Sequence, residues 1–198
     1  LARKQRPRLP PEQRDAALED ILSSERERII PAANLLSSDP STLPRLLELL
    51  ALERRADNRQ AILHALSWHG EPDALWELMI RVLSDPTEGE KVRGQASEGL
   101  AYMFAEVEVG STRFEAGVQA LLAALKDSAP EVRYCALFAL GATAHPPLIP
   151  AMEAMLADDT PVPGWVGTVA TSAAEALERL RGGYAYLHRE KPQEDGSS

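Results

Sequence analysis

The chain has 198 residues, 44% of them hydrophobic and 5% aromatic, and a formal net charge of −9. This is apolar material enough for one medium domain or one short repeat array, and its wealth of Ala and Leu favours helix over sheet. The charge opposes non-specific nucleic-acid binding, which depends on Lys and Arg reaching phosphates, and it suits a basic protein partner.

Cys135 is the only cysteine. An internal disulfide and a zinc site built from several cysteines are therefore excluded, and a reducing, cytoplasmic setting is the expectation. No apolar run approaches the ~20 residues of a membrane-spanning helix, so no membrane association is predicted. The opening LARKQRPRLPP has no hydrophobic stretch behind its charges and does not read as a secretory signal.

Residues 1–10 carry Arg3, Lys4, Arg6 and Arg8 without an acid, and Pro7 and Pro10 oppose a helix, so a flexible basic arm is expected there. Two segments follow, 11–23 and 25–36, with Ala16, Ala17, Ile21 and Leu22 in the first and Ile29, Ile30, Ala33 and Leu36 in the second. Pro31 should kink or restart the second. Together they read as an irregular N-terminal helical cap.

From the turn at Ser37-Ser38-Asp39-Pro40 the chain falls into register. Apolar helices are predicted over 43–50, 57–68, 75–83, 91–104, 114–126, 130–141 and 148–156, and a last one ends near Gly182. Acidic residues 106–113 and the Pro- and Gly-rich residues 157–167 interrupt the short turns. A single domain over 11–183 is expected, followed by a polar tail over 184–198.

The second helix of each pair repeats one pattern. Arg59 is followed by Ile62, Ala65 and Leu66; Arg93 by Ala96, Gly99 and Leu100; Arg133 by Ala136, Ala139 and Leu140; Ala170 by Ala173, Ala176 and Leu177. The offsets are +3, +6 and +7 each time, and the frames step by 34, 40 and 37 residues. Self-similarity at this period marks a solenoid, in which each pair buries its apolar stripe only against its neighbours.

On Asp127, Val132, Arg133, Ala136, Ala139, Leu140 and Gly141, echoed by Asp85, Val92, Arg93, Ala96, Gly99 and Leu100, the chain resembles the HEAT-repeat family, in particular its short bacterial members. The resemblance covers about 41–180 and implies an all-α, right-handed α-solenoid of about four helix pairs behind the N-terminal cap. It also implies a polar ladder of turn acids and second-helix arginines, with Asp127 and Arg133, and Asp85 and Arg93, as members. Glu53 or Asp57 would serve Arg59, and the ladder should stop at Ala170.

Catalytic constellations are not visible. His64 and His69 are five residues apart and lie on different helical faces, which is no metal-binding spacing. The four histidines read as exposed or capping, and Asp158-Asp159 as a turn cap. No phosphate loop and no nucleophile beside a base occur, so no cofactor, metal or catalytic residue is assigned. Cys135 reads as a small core or boundary residue.

Binding residues are more legible. By the resemblance the second helices line the concave face. With +3, +6 and +7 buried, the rows +1, +5, +8 and +9 point away. They place His64, Trp68, Glu98, Tyr102, Tyr134, Phe138, Glu175 and Glu178 on one stripe, and four of the chain's ten aromatics fall there. Aromatic anchors among charges are the composition of a binding hot spot.

The resulting expectation is a non-catalytic protein-binding scaffold for a basic partner. Its sharper form is an immunity- or inhibitor-type protein that grasps a toxin or enzyme; an adaptor or complex subunit is the other form. The family resemblance also admits enzymes, such as bilin lyases and DNA glycosylases. A glycosylase needs a basic groove, and this stripe bears acids.

Overall fold

The computed structural model describes residues 8–182. The expected tail over 184–198, and the arm as far as residue 7, lie outside the described residues. Leu9 is anchored: its N–H donates to Asp39 Oδ2 at 2.9 Å and its side chain packs on the core.

The described residues form helices α1 (Pro11–Asp20), α2 (Arg26–Ser37), α3 (Leu43–Leu52), α4 (Ala56–Ser67), α5 (Pro72–Ser84), α6 (Glu90–Met103), α7 (Thr112–Ala124), α8 (Pro130–Gly141), α9 (Ile149–Glu153) and α10 (Val169–Gly182). Local sequence explains their ends. Pro11, Pro72 and Pro130 each stand in a first helical turn, where the missing N–H is no loss. Ser111 caps α7 by accepting from the Phe114 N–H at 3.1 Å. No strand forms among the described residues beyond one isolated bridge between Pro161 and Thr168.

Consecutive helices pack as antiparallel-type pairs, α1 with α2 through to α9 with α10. The second members stack in one unbroken series, α2 on α4, α4 on α6, α6 on α8 and α8 on α10, while among the first members α5 packs on α7. This is an all-α solenoid, and every +3, +6 and +7 residue of the four aligned frames is buried.

The N-terminal segment differs from its expected irregularity. α2 runs through Pro31 without a break and stacks on α4 as a regular array member. Pro31 is exposed, and the carbonyl it leaves without a helical partner belongs to Glu27, which is exposed to solvent near the helix start. α2 also carries the repeat pattern: from Arg26, the offsets +3, +6 and +7 are Ile29, Ala32 and Ala33, all buried, 33 residues ahead of the Arg59 frame. The described residues therefore hold five helix pairs, the N-terminal cap pair being a regular member of the stack.

Small residues set the spacing of the second-helix layer. A Cβ on Gly141 would lie 2.8 Å from the Ala176 Cα, so only glycine lets α8 and α10 approach this closely. On the other side of the layer Trp76 is fully buried under Gly117, its indole N–H donating to the Arg113 carbonyl at 2.9 Å. Trp76, Phe104, Phe114 and His145 follow one another edge to face with centroids 5.1, 5.5 and 5.4 Å apart, fixing the packing between the two layers.

Candidate protein-binding face

The polar ladder forms, with a different pairing from the one the resemblance implies. Arg59 bonds the Glu88 carboxylate, Arg93 the Asp127 carboxylate, and Arg133 Nε donates to Asp158 Oδ2 at 2.8 Å. Each arginine thus reaches the turn acid of the following pair. To its own turn it donates at backbone carbonyls instead: Arg59 to Leu50 and Glu53, Arg93 to Glu88, Arg133 to Asp127 and Ser128. Asp85 is outside the ladder and caps its own turn by accepting from the Thr87 N–H and hydroxyl. Asp57 pairs with Lys91 at 3.3 Å, and the Glu53 carboxylate with Arg55. The reason is spatial: an arginine side chain spans the gap to the next stacked pair, while its own turn lies close enough for its donors to meet main chain.

On the other side of the second helices the rows +1, +5 and +9 assemble into a continuous stripe. His64 meets Trp68 edge-on at 6.3 Å; Trp68 stacks on Tyr102 at 4.5 Å; Tyr102 meets Phe138 edge-on at 6.2 Å; and the Arg179 guanidinium sits 4.9 Å from the Phe138 ring centre. The series crosses α4, α6, α8 and α10. It is amphipathic, with His64, Tyr102, Tyr134 and Phe138 half-buried and Trp68 39% exposed. Glu175 and Glu178 are exposed on α10, and Glu175 lies 3.9 Å from Arg179.

Row +8 does not share this face in general. Ser67, Ala101 and Gly141 at that offset are buried, and so is Ala142 at +9. Each inner second helix is packed by neighbours on both flanks, which covers +8; Glu178 stays exposed on α10, at the end of the described stack.

Acids cluster where α6 meets α8. Glu98 Oε2 accepts from Gln95 Nε2 at 3.2 Å, and Glu98 Oε1 lies 4.0 Å from the Cys135 thiol. Burial pushes the Glu98 carboxyl up to about 7, the Gln95 hydrogen bond opposing and Glu131 adding to the rise. Glu131 is raised too, by burial and by Glu90, with Lys91 opposing. Burial, then Glu175, raises Tyr134. Cys135 is buried, and burial with the Glu98 and Glu131 charges lifts its thiol well above the ordinary value, leaving an inert thiol.

Glu131 is absent from the sequence-derived stripe. Extending the alignment to offset −2 would have found it: Asp57, Lys91 and Glu131 stand there on successive second helices with alternating sign.

The histidines have structural surroundings. His69 is buried and its Nε2 donates to the Leu36 carbonyl at the end of α2, a capping role. Burial lowers His64, keeping the imidazole neutral near pH 7. Asp158 loses by burial but is held below the usual carboxylate range by Arg133 and Thr160. Among the described residues no three His, Cys, Asp or Glu side chains gather as a metal site, and no helix is long and apolar enough to cross a membrane.

Of the two interrupting loops, only one borders the stripe. Residues 157–167 bring Trp165 to 4.9 Å from the Tyr134 ring and leave Val166 95% exposed. Residues 106–113 are pinned to the first-helix side, Arg113 bonding Asp73 at 2.7 Å and receiving Trp76 at its carbonyl.

Residues 87–178 match the family model of HEAT repeats. No curated protein matches the chain. HEAT repeats are in general non-catalytic scaffolds that mediate protein–protein interaction. The matched span holds the frames at Arg93, Arg133 and Ala170, their ladder acids Asp127 and Asp158, and most of the acid-bearing stripe. Residues 87–178 of the chain are HEAT repeats.

Proposed function

We propose that this chain is a non-catalytic scaffold whose second-helix face, concave in the family resemblance, binds a basic protein. The aromatic series from His64 to Phe138 carries the reading. It sets rings on successive helices, half-buried except for the exposed Trp68, beside Glu98, Glu131, Glu175 and Glu178, the arrangement of an anchor row within a charged rim. A face of this sign accelerates encounter with a cationic partner and fixes its register. An immunity- or inhibitor-type role, blocking a basic toxin or enzyme, is the sharper form of the same reading; an adaptor role uses the same face.

The test is capture by the intact chain and by a variant carrying Glu98→Lys, Phe138→Ala and Glu175→Lys, with circular dichroism to establish that the variant folds. The captured protein is purified and its affinity measured at two salt concentrations. A basic partner should bind the parent, weaken with salt, and lose at least ~100-fold in affinity for the variant, as loss of a hot-spot ring and two added positive charges require. Equal binding by the variant contradicts the assignment of the face.

A further inference from the structure

The first helix pair carries a feature that the protein-binding reading does not use. Between α2 and α4 lies a cavity of about 200 Å³. Its wall is apolar at Ile29, Ile30, Ala33 and Ala61. Its polar lining is Arg26, Asn34, Asp57, Gln60, His64 and Gln95. Such a volume is below the roughly 300–1,000 Å³ of a drug-sized site and suits a group the size of one amino acid.

Register explains what Arg26 is doing there. It stands in α2 where Arg59, Arg93 and Arg133 stand in their helices, and each of those takes a carboxylate from the turn of the next pair. The turn between α3 and α4 offers Arg26 none. Its acid, Glu53, is held by the Arg55 guanidinium and by the N–H groups of Arg54 and Arg55, which keep its carboxyl down at about 2. Among the described residues Arg26 has no ion pair; it is an exposed ladder arginine without a ladder acid, and it lines the cavity.

The local charge balance favours an anion. Asp57 is the one carboxylate on the lining, and Lys91 bonds it at 3.3 Å. Arg26 is thus the one cation on the lining, and the one acid there is already engaged by a lysine from outside it. His64 is kept neutral by burial. The three amides offer donors and acceptors together, and suit an uncharged polar group such as a peptide unit.

We propose that the cavity between α2 and α4 binds a carboxylate-bearing group of amino-acid size, with Arg26 holding the carboxylate. The planar guanidinium takes a carboxylate through two parallel hydrogen bonds, which an amine cannot reciprocate. The amides of Asn34, Gln60 and Gln95 take the polar remainder, and the Ile29–Ile30 wall covers the aliphatic part. The carboxylate can belong to a free small acid or to the last residue of a polypeptide.

The probes are glutarate, its dicationic isostere 1,5-diaminopentane, and an Ala-Ala-Ala tripeptide with a free or an amidated C-terminus. Each is titrated into the full-length chain and followed by amide chemical shifts. Glutarate or the free-acid tripeptide should saturate shifts in α2 and α4, and whichever binds more tightly identifies the source. Arg26→Gln should weaken that binding at least ~10-fold, the value of one charge-assisted pair, while Asp57→Asn should not weaken it. Arg26 is exposed, so the variant is expected to fold, and circular dichroism checks this. Absence of saturation by both acids, binding of the diamine in their place, or equal binding by Arg26→Gln overturns the proposal. None of these variants alters Glu98, Phe138 or Glu175, so the outcome is independent of partner capture.

Discussion

Glu98 shows how a single side chain can be tuned by its position in a stack. It is an ordinary +5 residue, yet Gln95, Cys135 and Glu131 enclose it as α6 packs on α8, and its carboxyl rises to about 7. The folded chain therefore keeps a proton between pH ~4.5 and ~7 that the unfolded chain releases, so this group's contribution to stability falls as pH rises through that window and is level above it. Glu98→Gln should be more stable than the parent by about 1–3 kcal/mol at pH 8 and by far less at pH 4, measured by urea unfolding at both. An equal gain at the two pH values would show that desolvation of the charge is not the cause. The repeat offsets place Glu98 at +5 of its frame. Its perturbed acidity was not legible, because it is set by the packing of α6 on α8, where the Glu131 charge and the Cys135 thiol stand 33 and 37 residues away, and depends on how closely Gly94 admits the neighbouring helix: a Cβ there would meet the Cys135 sulfur at 3.3 Å.

Between elements, the ladder joins each helix pair to the next. Arg93 and Asp127 have side chains only 14% and 15% exposed, and Arg93 also bonds the Glu88 carbonyl. Arg45 and Glu48 form a pair within one helix turn with both side chains largely exposed. Arg93→Ala should cost about 2–3 kcal/mol because it strands a half-buried carboxylate, whereas Arg45→Ala should cost less than ~0.5 kcal/mol, as urea midpoints can establish. Similar costs for the two would remove the ladder as a determinant of stacking. The family resemblance points to Arg59, Arg93, Arg133 and Asp127 as ladder residues, and not to Glu88 or Asp158. The ladder's direction was not readable, since whether Arg93 bonds the acid of its own turn or the next one depends on the inter-pair distance, which sequence offsets do not contain. The array member α2 is hard to read for a different reason: Pro31 predicts a break inside the Arg26 frame of Ile29, Ala32 and Ala33, and its position in the exposed start of the helix makes it harmless.

At the scale of the whole molecule, the second helices form the continuous layer, and both candidate sites lie on it. The acid- and aromatic-bearing stripe extends from α4 to α10, and the amide-lined cavity with Arg26 lies between α2 and α4. His64 belongs to both, so the face changes character along the stack from an arginine-bearing end to an acidic one. A partner that uses this face should protect amides of α4, α6, α8 and α10 on the +1, +5 and +9 rows. The most direct measurement is hydrogen exchange of the full chain with and without its captured, purified partner. Added protection concentrated in residues 56–68, 90–103, 130–141 and 169–182, together with Trp165 in the adjoining loop, is the predicted result. Protection confined to α3, α5 and α7, or to residues 106–113, would contradict the account.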